Sequence, residues 1–406
     1  HPSFTPCFKS LLDTENSPEK SNLGSVERNG METHSKPRKL LLRLVSTGLG
    51  LLVLFALMEI VFRFMPLRES AGMLTVDDRN YVPRFEPNRE HTFSRNWNFS
   101  MVTQKKTNQA GFFSNFEYQA QGKLPLVAVI GDSYVEALQV PNADSFPGIL
   151  GTRGEGKSRV YAYGASGSPL STYLKYAQWV GEGYDAKHFI FSIVANDFDE
   201  SFLEYRSRSR RTSLTFFPES IESPGLADLV TVPYYPEKTK RSFLTKTFRQ
   251  SAVARYLLYN CEVDPRRIAF NIQPNVQTQS KPDSDRLDLG YRSIDHFIRL
   301  LPEATGVPPR NILLVLDAER HLIYDSDSDK SHPSFYALMK EKLIETAANA
   351  QIDWINLSEA FGTHYKANHM KFEFPTDGHW NKLGHSIVAD AIMKTEFWKQ
   401  INAESN

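Results

Sequence analysis

Five short apolar runs constrain this chain more than anything else in it: residues 126–130 (LVAVI), 160–163 (VYAY), 189–194 (FIFSIV), 312–316 (ILLVL) and 352–355 (IDWI). They are apolar almost continuously, as strands buried on both faces are, where a half-solvated strand would alternate. Between or after them, residues 170–180, 291–301, 334–350 and 382–397 carry apolar residues at helical spacing. Strand and helix in alternation predict a parallel sheet covered by helices on both faces, an α/β fold of three layers. Ligands of such sheets bind at the carboxyl ends of the strands.

One segment cannot belong to that sheet. Residues 44–62 read LVSTGLGLLVLFALMEIVF, nineteen residues of which twelve are Leu, Ile, Val or Phe. That is about the length needed to cross a bilayer core. Each apolar residue favours insertion by roughly 0.3–0.6 kcal/mol, which together outweigh a cost of about 3 kcal/mol for the single acid, Glu59. Lys36, Arg38, Lys39 and Arg43 precede the run, and Arg63 and Arg68 follow it. This bias keeps the short tail in the cytoplasm and sends everything after Pro66 across. No small-residue cleavage pattern follows, so a retained single-pass anchor is expected rather than a removed signal peptide. The competing reading is a buried core helix.

The expected organisation is therefore a polar, disordered tail over 1–38, an anchor over 39–65, a lead-in over 66–122 and the α/β domain over 123–400. Met31 makes a better start than His1, with residues 1–30 as upstream remainder. The third and fourth strands are too far apart for one crossover, so residues 199–290 read as an insertion over the active face. It carries Arg206, Arg208, Arg210 and Arg211, then Phe216–Phe217 and Tyr234–Tyr235, a helix over 242–260 and a polar stretch over 273–285. The arginines are either a grip on an anionic envelope polymer or lipid headgroups, or a solvated loop. Basic and acidic residues balance at 47 each, so no global field favours nucleic acid. Cys7 and Cys261 are too few and too distant for a disulfide framework.

The strand ends carry the chemistry. The first ends in Gly131-Asp132-Ser133, the second in YGASGS (163–168), and the third in Val194-Ala195-Asn196-Asp197. Asp377-Gly378-His379 lies just before the last helix. Taken singly, each is ordinary turn or cap chemistry. Taken together they supply what acyl transfer needs: a nucleophile, a base and oxyanion donors. Ser133 is the nucleophile, His379 the base, and Asp377 orients and stabilises the imidazolium. The donors are the Ser133 and Gly167 backbone N–H groups and the Asn196 amide, with Gly164 competing with Gly167 for the second position.

The same blocks resemble the SGNH (GDSL-like) hydrolase family. GDSY (131–134) matches its nucleophile block, YGASGS its glycine block, ANDF (195–198) its asparagine block and DGHWNKLGH (377–385) its terminal block. The likeness spans about residues 105–398, leaving out the anchor and the insertion. It implies a three-layer α/β/α sandwich with a five-stranded parallel sheet of flavodoxin-like order, and the same roles for Ser133, Gly167, Asn196, His379 and Asp377. One departure is that the family usually writes Asp-x-x-His, whereas Asp377 and His379 are separated by one residue.

What the resemblance implies is a serine esterase that removes acyl groups, typically acetyl, from an envelope carbohydrate or a lipid ester. The alternatives are an O-acyltransferase acting on an extracytoplasmic polysaccharide with an envelope-biosynthesis partner, and a non-catalytic binding protein on the same fold. No cofactor or metal is expected. His364, His369, His379 and His385 are five and six apart within their pairs, off the three-or-four spacing of one helix face. The expected location is the bacterial cytoplasmic membrane, with the carboxyl-terminal domain in the periplasm.

Overall fold

The computed structural model describes residues 35–69, 72–77, 79–202, 214–216, 232–234, 250–263, 284–325 and 333–404. The chain divides into two compact units, His1–Ala56 and Leu57–Asn406. A continuous helix, Ser35–Arg63, begins four residues before the expected anchor and takes up the end of the segment read as a disordered tail. It is long and apolar enough to cross a membrane, and the span Arg38–Arg63 is not buried inside the protein. A core helix would be buried, so that alternative falls. The Arg206–Arg211 cluster lies outside the described residues, as do residues 1–34 and most of the stretch 273–285.

After a two-stranded antiparallel hairpin, β1 (Glu90–Arg95) and β2 (Met101–Lys106), the main sheet begins. Its strands are β3 (Leu126–Gly131), β4 (Arg159–Gly164), β5 (Ala186–Ile193), β8 (Ile312–Leu316) and β9 (Asp353–Asn356). All neighbours are parallel, in the order β4-β3-β5-β8-β9. By position that is second, first, third, fourth, fifth, the doubly wound order with its switch point beside the first strand. The short pairs β6 (Leu214–Phe216) with β7 (Val232–Tyr234) and β10 (Glu373–Phe374) with β11 (Asp377–Trp380) stand apart from it.

The reason for continuously apolar strands is visible in β3. Leu126, Ala128 and Ile130 enter one core cluster with Leu170, Tyr173, Ala177 and Phe297, from the helices Leu170–Gly183 and Ser284–Thr305. Val127 and Val129 enter another with Phe146, Val388 and Trp398, on the opposite face. Successive side chains point to opposite faces, so a strand covered on both sides must be apolar at every position. Burying each Val, Leu or Ile contributes about 1.5–3 kcal/mol. The edge strand β9 is covered less, and Trp354 remains exposed there.

The lead-in docks onto this sheet. Asn108 organises its last turn, its side-chain oxygen accepting from the Ala110 and Phe112 N–H groups. That turn delivers Phe112 and Tyr118 into the core, where the Tyr118 ring stacks on Tyr161 at 4.1 Å. The region read as one last helix over 382–397 is two, Lys382–Met393 and Glu396–Glu404.

Candidate active site

Gly131 closes β3, and the chain turns at once into a one-turn helix, Ser133–Glu136. Asp132 caps it, accepting from the Tyr134 N–H at 2.9 Å. Ser133 occupies the first helical position with its hydroxyl facing a cleft. The cap and the presented hydroxyl are thus parts of one turn. Asp132 is buried, and this raises its carboxyl above the usual range against the pull of the Tyr134 N–H and His379.

His379 arrives on β11. Its Nε2 lies 2.7 Å from Ser133 Oγ, and its Nδ1 lies 2.5 Å from Asp377 Oδ1. An ionised carboxylate only accepts, so Nδ1 carries the ring proton and Nε2 turns its lone pair to the serine hydroxyl. Asp377 Oδ1 also accepts from the His379 backbone N–H at 3.0 Å. One carboxylate oxygen therefore holds both the backbone and the ring of the residue two positions on. This is how the shortened Asp-x-His spacing brings carboxylate and imidazole together.

The other Asp377 oxygen accepts from Arg95 Nη1 at 2.5 Å and, at 3.4 Å, from Gln139 Nε2. Burial alone would raise the Asp377 carboxyl. The hydrogen bonds and charge of His379, then the charge of Arg95, override it and hold the group well below the usual carboxylate range.

The Asp-Gly-His turn is fastened from below. Arg320 donates to the Gly378 carbonyl at 2.8 Å and to the Tyr134 hydroxyl at 2.9 Å. It pairs in turn with Asp317 at 3.3 Å and Glu373 at 3.1 Å. The fully buried Trp380 donates its indole N–H to Asp317 Oδ1 at 3.0 Å. These contacts leave the imidazole little freedom to swing away from Ser133.

Gly167 and Asn196 line the same cleft of about 510 Å³ as Arg95, Ser133, Asp377 and His379. Gly167 has φ +79°, the left-handed region that suits glycine. Gly164 serves packing instead. A Cβ there would lie 2.8 Å from both the Glu136 backbone nitrogen and Val135 Cβ, beneath the nucleophile turn. The Asn196 amide donates one hydrogen to Glu200 Oε2 at 3.2 Å, and an amide nitrogen carries two. The turn that holds it is pinned by the fully buried Asp197, which accepts from the Val194 N–H at 2.8 Å and the Tyr173 hydroxyl at 3.0 Å. Burial, then the nearby Asp132 charge, pushes the Asp197 carboxyl well above the usual range.

His385 is buried away from this cleft. Its Nδ1 accepts from the Phe146 backbone N–H at 3.2 Å, and burial lowers it to about 3, with help from the Lys105 and His379 charges. His364 is half-buried within the helix Leu357–Asn368, and His369 is exposed at its carboxyl end. Arg95, Gln139 and Arg320 are the parts of the site that sequence reasoning missed. Arg95 and Asp377 are 282 positions apart, and no local signal joins them.

No family model and no curated protein matches the chain. Among solved structures, it is similar to a member of the lipolytic protein G-D-S-L family from Veillonella parvula (11% identity, TM-score 0.32, 67% of this chain and 97% of that one). It is also similar to an alpha/beta hydrolase enzyme from the metagenome of Lake Arreo (12%, 0.37, 71% and 99%). A third is an acetyl xylan esterase (11%, 0.34, 66% and 97%). These likenesses are faint, and the chemistry below rests on the residues of this chain alone. The strand order, with four blocks gathered at the strand ends, is the α/β/α sandwich that the SGNH (GDSL-like) resemblance implies.

Proposed function

We propose that this chain is a membrane-anchored serine esterase that removes acyl groups, acetyl foremost, from an envelope carbohydrate or related ester outside the cytoplasm. One observation carries the reading: Ser133 Oγ and His379 Nε2 stand 2.7 Å apart although 246 positions separate them. In the reaction, Nε2 takes the hydroxyl proton as Oγ bonds to the ester carbonyl carbon. The negative charge then developing on the carbonyl oxygen is met by the Ser133 and Gly167 N–H groups and the Asn196 amide. Collapse breaks the bond to the leaving oxygen, which receives the proton from His379. Water, deprotonated by the same nitrogen, then bonds to the acyl carbon; the bond to Ser133 Oγ breaks, Oγ takes the proton back from His379, and the acid leaves. Asp377 stays ionised throughout and stabilises the imidazolium.

The apolar helix supports the anchored location, and the positive flank supports an extracytoplasmic catalytic unit. The test is turnover of a short-chain nitrophenyl ester by the full chain. Ser133→Ala and His379→Ala should each abolish it, with the fold retained by circular dichroism. Turnover that survives Ser133→Ala refutes the proposal.

A further inference from the structure

The last turns of the apolar helix, from Leu57 on, belong to the same compact unit as the cleft. Glu59, the one acid of the apolar run, is clasped there. It accepts from the Ser251 hydroxyl at 2.8 Å and from the Ala252 and Val253 N–H groups at 2.9 and 3.2 Å. It thereby caps the helical segment that runs from Ala252 to Asn260. Tyr256 of that segment stacks on Phe62 at 4.3 Å and donates its hydroxyl to the Trp97 carbonyl at 2.8 Å. Asn260 donates to Ser94 Oγ at 2.7 Å. The tip of the β1–β2 hairpin, the segment Ala252–Asn260 and the end of the apolar helix therefore form one packed corner.

That corner presents large apolar side chains outward. Phe64 is 85% exposed, Trp97 71%, and Met65 and Leu257 each 42%. Phe64 and Trp97 are left mostly uncovered by the described residues, and Met65 and Leu257 partly so. The hairpin tip is also strained, with Asn96 at φ +69° and Phe99 at φ +56°. Phe rarely adopts the left-handed region, and such conformations persist where the surroundings impose them. An exposed Trp where an apolar helix ends matches the chemistry of the membrane–water interface, at which the indole finds apolar and polar neighbours together, and the Phe64, Met65 and Leu257 side chains beside it add apolar surface.

The cleft adjoins this corner. Arg95, the last residue of β1, is two residues from Trp97 in the turn that follows, and it lines the cleft through its bond to Asp377. Its Nε also meets Glu262, just beyond the segment Ala252–Asn260.

We propose that Phe64, Met65, Trp97 and Leu257 dock on the bilayer interface and hold the cleft beside the lipid headgroups, so that the esters it takes are those carried at the membrane surface. The docking stands on geometry alone; only the substrate half rests on the esterase reading. The full chain would be placed in nanodiscs of phosphatidylcholine brominated high on the acyl chain. Its tryptophans are Trp97, Trp179, Trp354, Trp380 and Trp398, none of them in the apolar run. The expected result is quenching of the wild type relative to unbrominated discs. Trp97→Phe should lose most of that quenching, and Trp354→Phe, altered at the exposed edge strand, should keep it. Absence of quenching in the wild type, or its persistence in Trp97→Phe, overturns the docking. A lipid-borne nitrophenyl ester in the same discs should be turned over more slowly by Trp97→Ser than by wild type, and equal rates overturn the substrate half. Turnover that survives Ser133→Ala would count against the esterase reading and leave the quenching result standing.

Discussion

Arg95→Met removes a cation from the far side of the carboxylate that holds His379. Arg95 Nη1 and His379 Nδ1 bind opposite oxygens of Asp377, each at 2.5 Å. A guanidinium and a carboxylate so placed lie about 4 Å apart, and at an effective dielectric of about 20 they attract by about 4 kcal/mol. Arg95 is a quarter exposed and shares its charge with Glu262, so solvent and that partner screen the attraction. Halving it leaves about 2 kcal/mol. The sign follows from the charge state: against burial, His379 and then Arg95 hold the Asp377 carboxyl below the usual carboxylate range, so the contribution of Arg95 is present while Asp377 is ionised and fades as acid protonates it. Arg95→Met should therefore lose about 2 kcal/mol in urea unfolding at neutral pH, and the gap to wild type should narrow on acidification below about pH 4. Arg95→Lys keeps the charge and should recover most of the loss. A gap that is absent at neutral pH, or that widens on acidification, refutes the electrostatic role given to Arg95.

Three further outcomes are expected. Asn196→Ala should lower kcat about 10²–10³-fold with a smaller change in KM, the mark of a donor used mainly in the transition state; an equal rise in KM at constant kcat would assign the amide to ground-state binding. Gly164→Ala forces a Cβ to 2.8 Å from the Glu136 backbone nitrogen and should cost about 1–3 kcal/mol in urea unfolding, so unchanged stability would show that the nucleophile turn yields more easily than its packing implies. Arg320→Met frees the Gly378 carbonyl and should lower kcat while Ser133 stays reactive towards a fluorophosphonate probe, with slower labelling than wild type; labelling at the wild-type rate would show that the turn holds His379 without Arg320.

Much of the architecture can be read locally because burial on both faces leaves a direct mark on composition. The strands β3 and β8, buried at every position, carry no polar side chain at all. Ser133, Gly167, Asn196 and His379 could be singled out as candidates for a related reason. The first three stand at strand ends or turns, where Gly, Asp, Ser and Asn are conspicuous against apolar surroundings, and His379 directly follows an Asp-Gly pair. Gly164 and Gly167 could not be told apart that way, because glycine marks both a close approach and a left-handed turn. Their separation depends on which backbone lies above each one.

The amino-acid sequence by itself determined the alternation of strand and helix, the apolar helix near the amino terminus and the short list of candidate site residues, since all three are expressed within a few neighbouring positions. Only the tertiary structure decided that Arg95 reaches Asp377 across 282 positions, that Arg320 ties down the turn bearing His379, and that Glu59 is clasped by Ser251 and its neighbours. Those contacts join long polar side chains to partners far away along the chain. A charge on a flexible side chain leaves no periodic trace of where it will be used, so its partner is set by the folded backbone alone.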